Sequence, residues 1–243
     1  MSSKKIALVT GANKGIGFET ARQLAARGVT VLLGARDEKR GLEAAGKLKK
    51  EGLDVQFLKL DVTDPSSQDN AAKFIADNFG KLDILINNAG VSRDFQVPAS
   101  KGTPEQWRET FETNLFSLIS LTQKLLPLIK KSDDGRIVNL SSILGSLTLN
   151  SAPDSPLGAP SATTAYHASK AALNMFTVHL ANELKDTPIK VNAAHPGWVK
   201  TDMGGEAAPL GVEEGAKTSV RLATLPKGGP TGGYYHDGEA LPW

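Results

Sequence analysis

Short apolar runs rich in β-branched residues alternate with longer amphipathic stretches along this chain. Ile6 to Val9, Val29 to Leu33, Val55 to Leu60, Leu82 to Ile86, Arg136 to Leu140 and Ile189 to Ala194 read as strands, each short and apolar. Between them the spacing predicts helices near Gly15 to Ala26, Glu38 to Lys50, Ser66 to Phe79, Pro104 to Ile129 and Ala165 to Leu184. Strands that are apolar on both faces and separated by helices belong in a parallel sheet covered on each side, which is an α/β fold. Thr231 to Tyr235 is expected to add a seventh strand at a sheet edge.

Local signals sharpen this outline. Thr103 is the expected N-cap of the long helix, with Pro104 at its first position and Gln106 as the capping-box partner; Pro127 is expected to bend or end it. Leu149 to Thr164 carries Pro153, Pro156 and Pro160 and few large apolar residues, so it reads as a loop. That loop is either a flap beside a cleft or a plain surface insertion, and its position just before Tyr166 favours the flap. With no repeat and no long linker, residues 1–243 are expected to form a single domain.

Composition narrows the function classes. Of the 243 residues 40% are hydrophobic and 22% charged, which suits one soluble domain with a full core. Lys plus Arg number 28 against 26 Asp plus Glu, a formal charge of only +2, and the basic residues are scattered, so a nucleic-acid partner is not expected. The absence of cysteine removes disulfides, thiolate nucleophiles and cysteine-held metals. His167, His179, His195 and His236 lie far apart without metal-ligand spacing, so no metal site is expected. No signal-like or membrane-length apolar run occurs, so neither secretion nor a membrane partner is expected and the cytoplasm is the default compartment.

Two motifs carry chemistry. Thr10 to Gly17 places glycines in a G-x-x-x-G-x-G pattern between the first strand and the first helix, where backbone amides can approach a pyrophosphate at the positive helix end. About twenty residues on, where an NAD-binding protein usually shows a carboxylate, this chain has Ala35 and then Arg36. With Lys14 inside the loop, two cations are available to a 2′-phosphate and NADP is favoured; the alternative is that Arg36 is a plain strand-end residue and Asp37 recruits NAD. The second motif is Tyr166 and Lys170, four residues apart on one helical face. An ammonium ~4 Å away at an effective dielectric of ~20 attracts a phenolate by about 4 kcal/mol, which caps the drop in the phenol pKa at roughly three units. A phenol so acidified could do acid–base work near neutrality, although such a pair is also common on an ordinary solvated face.

Taken together, these motifs resemble the short-chain dehydrogenase/reductase family over nearly the whole chain. The resemblance rests on TGANKGIG at 10–17, Leu60-Asp61-Val62, Asn87-Asn88-Ala89-Gly90, Asn114, Asn139-Leu140-Ser141-Ser142, Tyr166 with Lys170, and His195 to Thr201, in that order. Within the family it is most similar to the carbonyl reductases, through Asn13-Lys14, Ala35-Arg36-Asp37 and Pro196 to Met203. The resemblance implies a Rossmann-type doubly wound sheet of about seven strands in the order 3-2-1-4-5-6-7, with the cofactor across the strand carboxyl ends. It implies a catalytic set of Asn114, Ser142, Tyr166 and Lys170, with Ser142 preferred to Ser141 because Ile143-Leu144-Gly145 follows it.

For NADP (NADPH), the resemblance and the glycine loop together assign Gly11, Asn13, Lys14, Gly15, Ile16, Gly17, Arg36, Asp61, Val62, Asn88, Ala89, Gly90, Tyr166, Lys170, Pro196, Gly197, Val199 and Thr201. By the same resemblance Lys170 also binds the nicotinamide ribose, and Asn114 holds a water linking Lys170 to solvent. The implied activity is reduction of a ketone or aldehyde with Tyr166 as proton donor. The rival readings are an alcohol or hydroxysteroid dehydrogenase working in oxidation and a non-catalytic NADP-sensing module. The expected partner is a small carbonyl or alcohol. A homodimer or homotetramer follows from family habit, while the intermediate length between Ser142 and Tyr166 leaves subunit number open.

Overall fold

All four residues of β1 (Ile6–Val9) are buried, and neighbours along the strand face opposite layers. Ala7 and Val9 pack with Leu24 of α1 (Gly15–Ala25), Leu48 of α2 (Glu38–Lys50) and Val220 of α8 (Val212–Ala223). Ile6 and Leu8 pack instead with Ile75 of α3 (Pro65–Phe79), Leu125 of α5 (Ser117–Ile129) and Leu180 of α7 (Thr164–Glu183). A strand buried on both faces therefore becomes the middle of a three-layer molecule. The computed structural model describes residues 4–155, 157 and 163–243.

The remaining strands are β2 (Thr30–Ala35), β3 (Val55–Lys59), β4 (Ile84–Asn87), β5 (Arg136–Leu140), β6 (Lys190–Ala194), β7 (Tyr234–His236) and β8 (Glu239–Ala240). They form one sheet in the order β3-β2-β1-β4-β5-β6-β7-β8, every pairing parallel except the last. The order of the first seven is the one the family resemblance implied, so the expected Rossmann-type arrangement is present with eight strands rather than seven. β7 is consequently not the edge: the chain turns through Asp237 and Gly238, both at positive φ, and returns as β8. Past β8, Trp243 stacks on buried Tyr234 with ring centroids 5.4 Å apart, and its carbonyl accepts from Thr148 N at 2.9 Å.

Three further departures have local causes. The long helix expected from Pro104 to Ile129 begins as predicted, with the Thr103/Gln106 capping box formed. It is interrupted, however: α4 (Pro104–Phe111) passes into a π-helical turn at Glu112–Phe116 before α5 begins. Pro127 does not stop α5, which runs two residues further. A short helix, α6 (Leu147–Ser151), occupies the start of the stretch read as a loop, and much of the proposed flap, from Pro156 to Ala162, falls largely outside the described residues.

Candidate active site

The carboxyl ends of β1, β4, β5 and β6 converge on the N-terminal half of α7, which is where open parallel sheets bind ligands. Asp94, in the segment after β4, accepts from Ala165 N at 2.6 Å and so caps α7 from outside the helix. Its carboxylate also places negative charge against the positive helix end. One turn further, Ser169 Oγ donates to the Tyr166 carbonyl at 2.7 Å. These contacts fix the helix that carries Tyr166 and Lys170.

Ser142 follows β5, starts a short 3₁₀ turn by accepting from Leu144 N, and has its hydroxyl near enough to the Tyr166 phenol to favour the phenolate. Ser141 points elsewhere: its hydroxyl donates to Asn174 Oδ1 at 2.6 Å. Lys170 is 4% exposed, and its Nζ donates to Leu140 O at 2.7 Å while lying 5.6 Å from the Tyr166 ring centroid. Burial pushes the Tyr166 phenol up to about 12, opposed by the Ser142 hydroxyl, and burial brings the Lys170 ammonium down to about 8. The acidified phenol expected from the Tyr/Lys spacing is thus absent from this structure. The ammonium is turned to a backbone carbonyl, and desolvation decides the phenol's proton affinity.

Asn114 sits in the π turn, fully buried, and is spent on its neighbours. Its Oδ1 accepts from Val91 N at 2.8 Å, and its Nδ2 donates to Val91 O at 2.9 Å and Ser169 Oγ at 3.0 Å. It therefore clamps the segment after β4 to α7. A Cβ on Gly90 would stand 3.4 Å from Asn114 Oδ1 and 3.7 Å from Lys170 Nζ, so these three residues do meet.

The glycine loop is built for close approach. Gly11 and Gly15 have φ of +62° and +59°, and a Cβ on Gly17 would come 2.4 Å from Asn88 Nδ2 and 2.7 Å from Gly11 O. Asn88 uses that amide on the carbonyls of Thr10 and Gly11, at 2.7 and 3.2 Å, while Thr10 Oγ1 accepts from the amides of Asn88 and Ala89. The Asn88 side chain thus supports the loop rather than facing a ribose. Among the described residues no side chain caps the first turn of α1, so its amides are available to an anion. Uncapped amides over a glycine cradle fit the diphosphate of a dinucleotide.

Farther out, Asp37 Oδ1 accepts from Arg40 N at 2.9 Å and caps α2, which commits it to the helix rather than to a ribose. Arg36 is exposed and makes no ion pair among the described residues, whereas Lys14, expected beside it as a free cation, is paired with Asp202. Asp61 Oδ1 accepts from Thr63 N and Oγ1, and Val62 O accepts from Gln68 Nε2, so both residues hold the turn after β3. After β6, Gly197 at φ +85° lets the chain double back, and Val199 bridges to Leu210. Thr201 Oγ1 accepts from Gly204 N, and its methyl would lie 3.4 Å from a Cβ on Gly15.

Thr10, Asp94, Arg40 and Asp202 were not among the expected site residues. Thr10 had a signal in its place before Gly11; Asp94 and Asp202 act across the fold, where spacing along the chain says nothing. Among the described residues no group of three His, Cys, Asp or Glu could hold a metal, and no helix is long and apolar enough to cross a membrane.

Comparison with known proteins agrees with this geometry. A family model described as short chain dehydrogenase matches residues 5–209. Short-chain dehydrogenase/reductase 1 of Saponaria officinalis is 39% identical, over 100% of this chain and 97% of the relative. Carbonyl reductase [NADPH] 1 of Mus musculus is 36% identical, over 100% and 99%. The crystal structure of NADPH-bound carbonyl reductase from chicken fatty liver is 32% identical, covers 99% of each chain and superposes with a TM-score of 0.87. The chain belongs to the short chain dehydrogenase family and is an oxidoreductase.

Proposed function

We propose that this protein is an NADPH-dependent reductase of ketone or aldehyde carbonyls in which Tyr166 gives up the proton. The observation that carries the reading is that Tyr166 and Lys170 meet beside Ser142 at the carboxyl end of β5, with Lys170 Nζ 5.6 Å from the Tyr166 ring centroid and bonded to Leu140 O. When bound, NADPH supplies the hydride that reduces the carbonyl carbon. Ser142 and Tyr166 are two adjacent hydroxyl donors for the substrate oxygen, and donors fixed where negative charge develops stabilise the transition state most. A phenol that stays protonated at neutral pH is in the state that reduction consumes; oxidation of an alcohol would need the phenolate, which burial opposes. Lys170, close under the ring, supplies positive charge as the phenol loses its proton.

For the cofactor, the residues that would hold it are the glycine loop, the open first turn of α1, Arg36, and the segment from Pro196 to Thr201. Arg36, without an ion pair among the described residues and beside a committed Asp37, supports a 2′-phosphate, as do the NADPH reductases that the chain resembles. Exposed Phe95, Leu147, Trp198 and Met203 support a small apolar carbonyl or alcohol as substrate. Exposed Phe116 and Met175 support association with further copies of the chain.

The test is Tyr166→Phe. It should keep the circular-dichroism spectrum and the NADPH dissociation constant of the wild type and lose about 10²–10⁴ of kcat on a panel of aldehydes, ketones and diketones. Undiminished turnover in that variant ends the proposal.

A further inference from the structure

The Lys14–Asp202 ion pair joins two segments that both belong to the candidate cofactor site. Lys14 is the N-cap residue of α1 at the end of the glycine loop, and Asp202 follows Thr201 in the segment after β6. The two segments touch independently of this pair, since a Cβ on Gly15 would stand 3.4 Å from the Thr201 methyl. The 198–205 turn that presents Asp202 is tied down by its own bonds, from Trp198 Nε1 to Gly204 O at 2.8 Å and from Gly205 N to Thr201 O at 2.8 Å. Asp202 is therefore presented to Lys14 by a folded turn.

A third side chain shares this carboxylate's field. The Asp202 carboxyl lies below its usual range, first through its hydrogen bond and charge interaction with Lys14 and further through the positive charge of Arg40. Arg40 stands in the first turn of α2, four residues past Arg36, and Asp37 is committed to the cap of that helix. The carboxylate thus pairs with Lys14 and feels the charge of Arg40, which belongs to the helix that follows Arg36, where a 2′-phosphate is expected. A carboxylate and a phosphate are both oxyanions that seek the same donors, and two anions sharing one cation repel each other.

Resting on the NADPH reading, we propose that the Asp202 carboxylate is an internal competitor for the cation that the 2′-phosphate uses, and that it sets how strongly this chain prefers NADPH to NADH. The phosphate displaces Asp202 from Lys14, whereas NADH leaves the pair in place. Asp202 lowers the preference rather than creating it, and removing its charge strengthens discrimination.

The experiment is calorimetric titration with two probes that differ only by the 2′-phosphate, adenosine 2′,5′-bisphosphate and adenosine 5′-monophosphate. The proteins are wild type, Asp202→Asn, Lys14→Ala and the double variant, each checked for wild-type circular dichroism. Wild type is expected to favour the bisphosphate. Asp202→Asn should bind the bisphosphate about two- to fivefold more tightly, as befits an exposed ion pair, with the monophosphate unchanged. In the Lys14→Ala background that gain should vanish. An Asp202→Asn that binds the bisphosphate equally or more weakly, a gain shared by both probes, or a gain that survives loss of Lys14 overturns the inference while leaving the NADPH reading intact. Equal binding of the two probes by wild type sinks the NADPH reading and this inference with it.

Discussion

Lys170 shows how one buried group couples stability to chemistry. Its ammonium is brought down to about 8 from 10.5 by burial. Between those values the unfolded chain binds more protons than the folded one, so the stability this residue contributes rises with pH across the window and is lost as pH falls through it. Fully developed, the penalty below pH 8 is about 3 kcal/mol. Lys170→Met removes it together with the bond to Leu140 O, so turnover should collapse while the melting temperature, relative to wild type, is highest near pH 7 and loses that advantage toward pH 10. Paired thermal melts in matched buffers measure this, and a difference between the two proteins that ignores pH rules out burial as its source. Spacing revealed that Tyr166 and Lys170 share a face, but not that the ammonium would turn to a carbonyl and the phenol would be governed by desolvation.

At the level of elements, the glycine loop and the end of β4 are closely packed in the candidate cofactor site. Gly17→Ala puts a methyl 2.4 Å from Asn88 Nδ2, so that amide must leave the carbonyls of Thr10 and Gly11. Orphaning buried polar groups costs about 1–3 kcal/mol, and NADPH affinity should fall about tenfold or more in a fluorescence titration. Unchanged affinity would mean that the loop tolerates a side chain there. The glycine pattern was legible because only glycine meets this backbone need, and the strands were legible because β1 is wholly apolar and β4 and β5 carry the apolar runs Ile84-Leu85-Ile86 and Ile137-Val138. Helix α8 was missed for the opposite reason: Gly215, Ala216 and Ser219 are among the buried residues of its inner face, too small to register as an apolar period. The π turn around Asn114 was hidden as well, since its cause is a set of contacts to Val91 and Ser169 from distant parts of the chain.

For the whole molecule, the helix-covered parallel sheet followed from strand-helix alternation and its strand order from the family resemblance, whereas association depends on what the surface leaves uncovered. Leu115, Leu118 and Leu173 form a small apolar cluster between the π turn, α5 and α7, and Phe116 and Met175 stand exposed at 53% and 59% on the elements that bear it. Replacing both by glutamate should leave circular dichroism intact and reduce the mass seen by size-exclusion chromatography with light scattering to that of a monomer. A wild type that is already monomeric at tens of micromolar dismisses the association reading. The flanks of the sheet behave differently from that face. On one side β3 shows Gln56 and Lys59 to solvent, and on the other β8 is a two-residue antiparallel return bearing Glu239. Charged, abbreviated rims give a foreign strand no template, so lateral growth of the ribbon is blocked on either side even though its interior is mostly aliphatic.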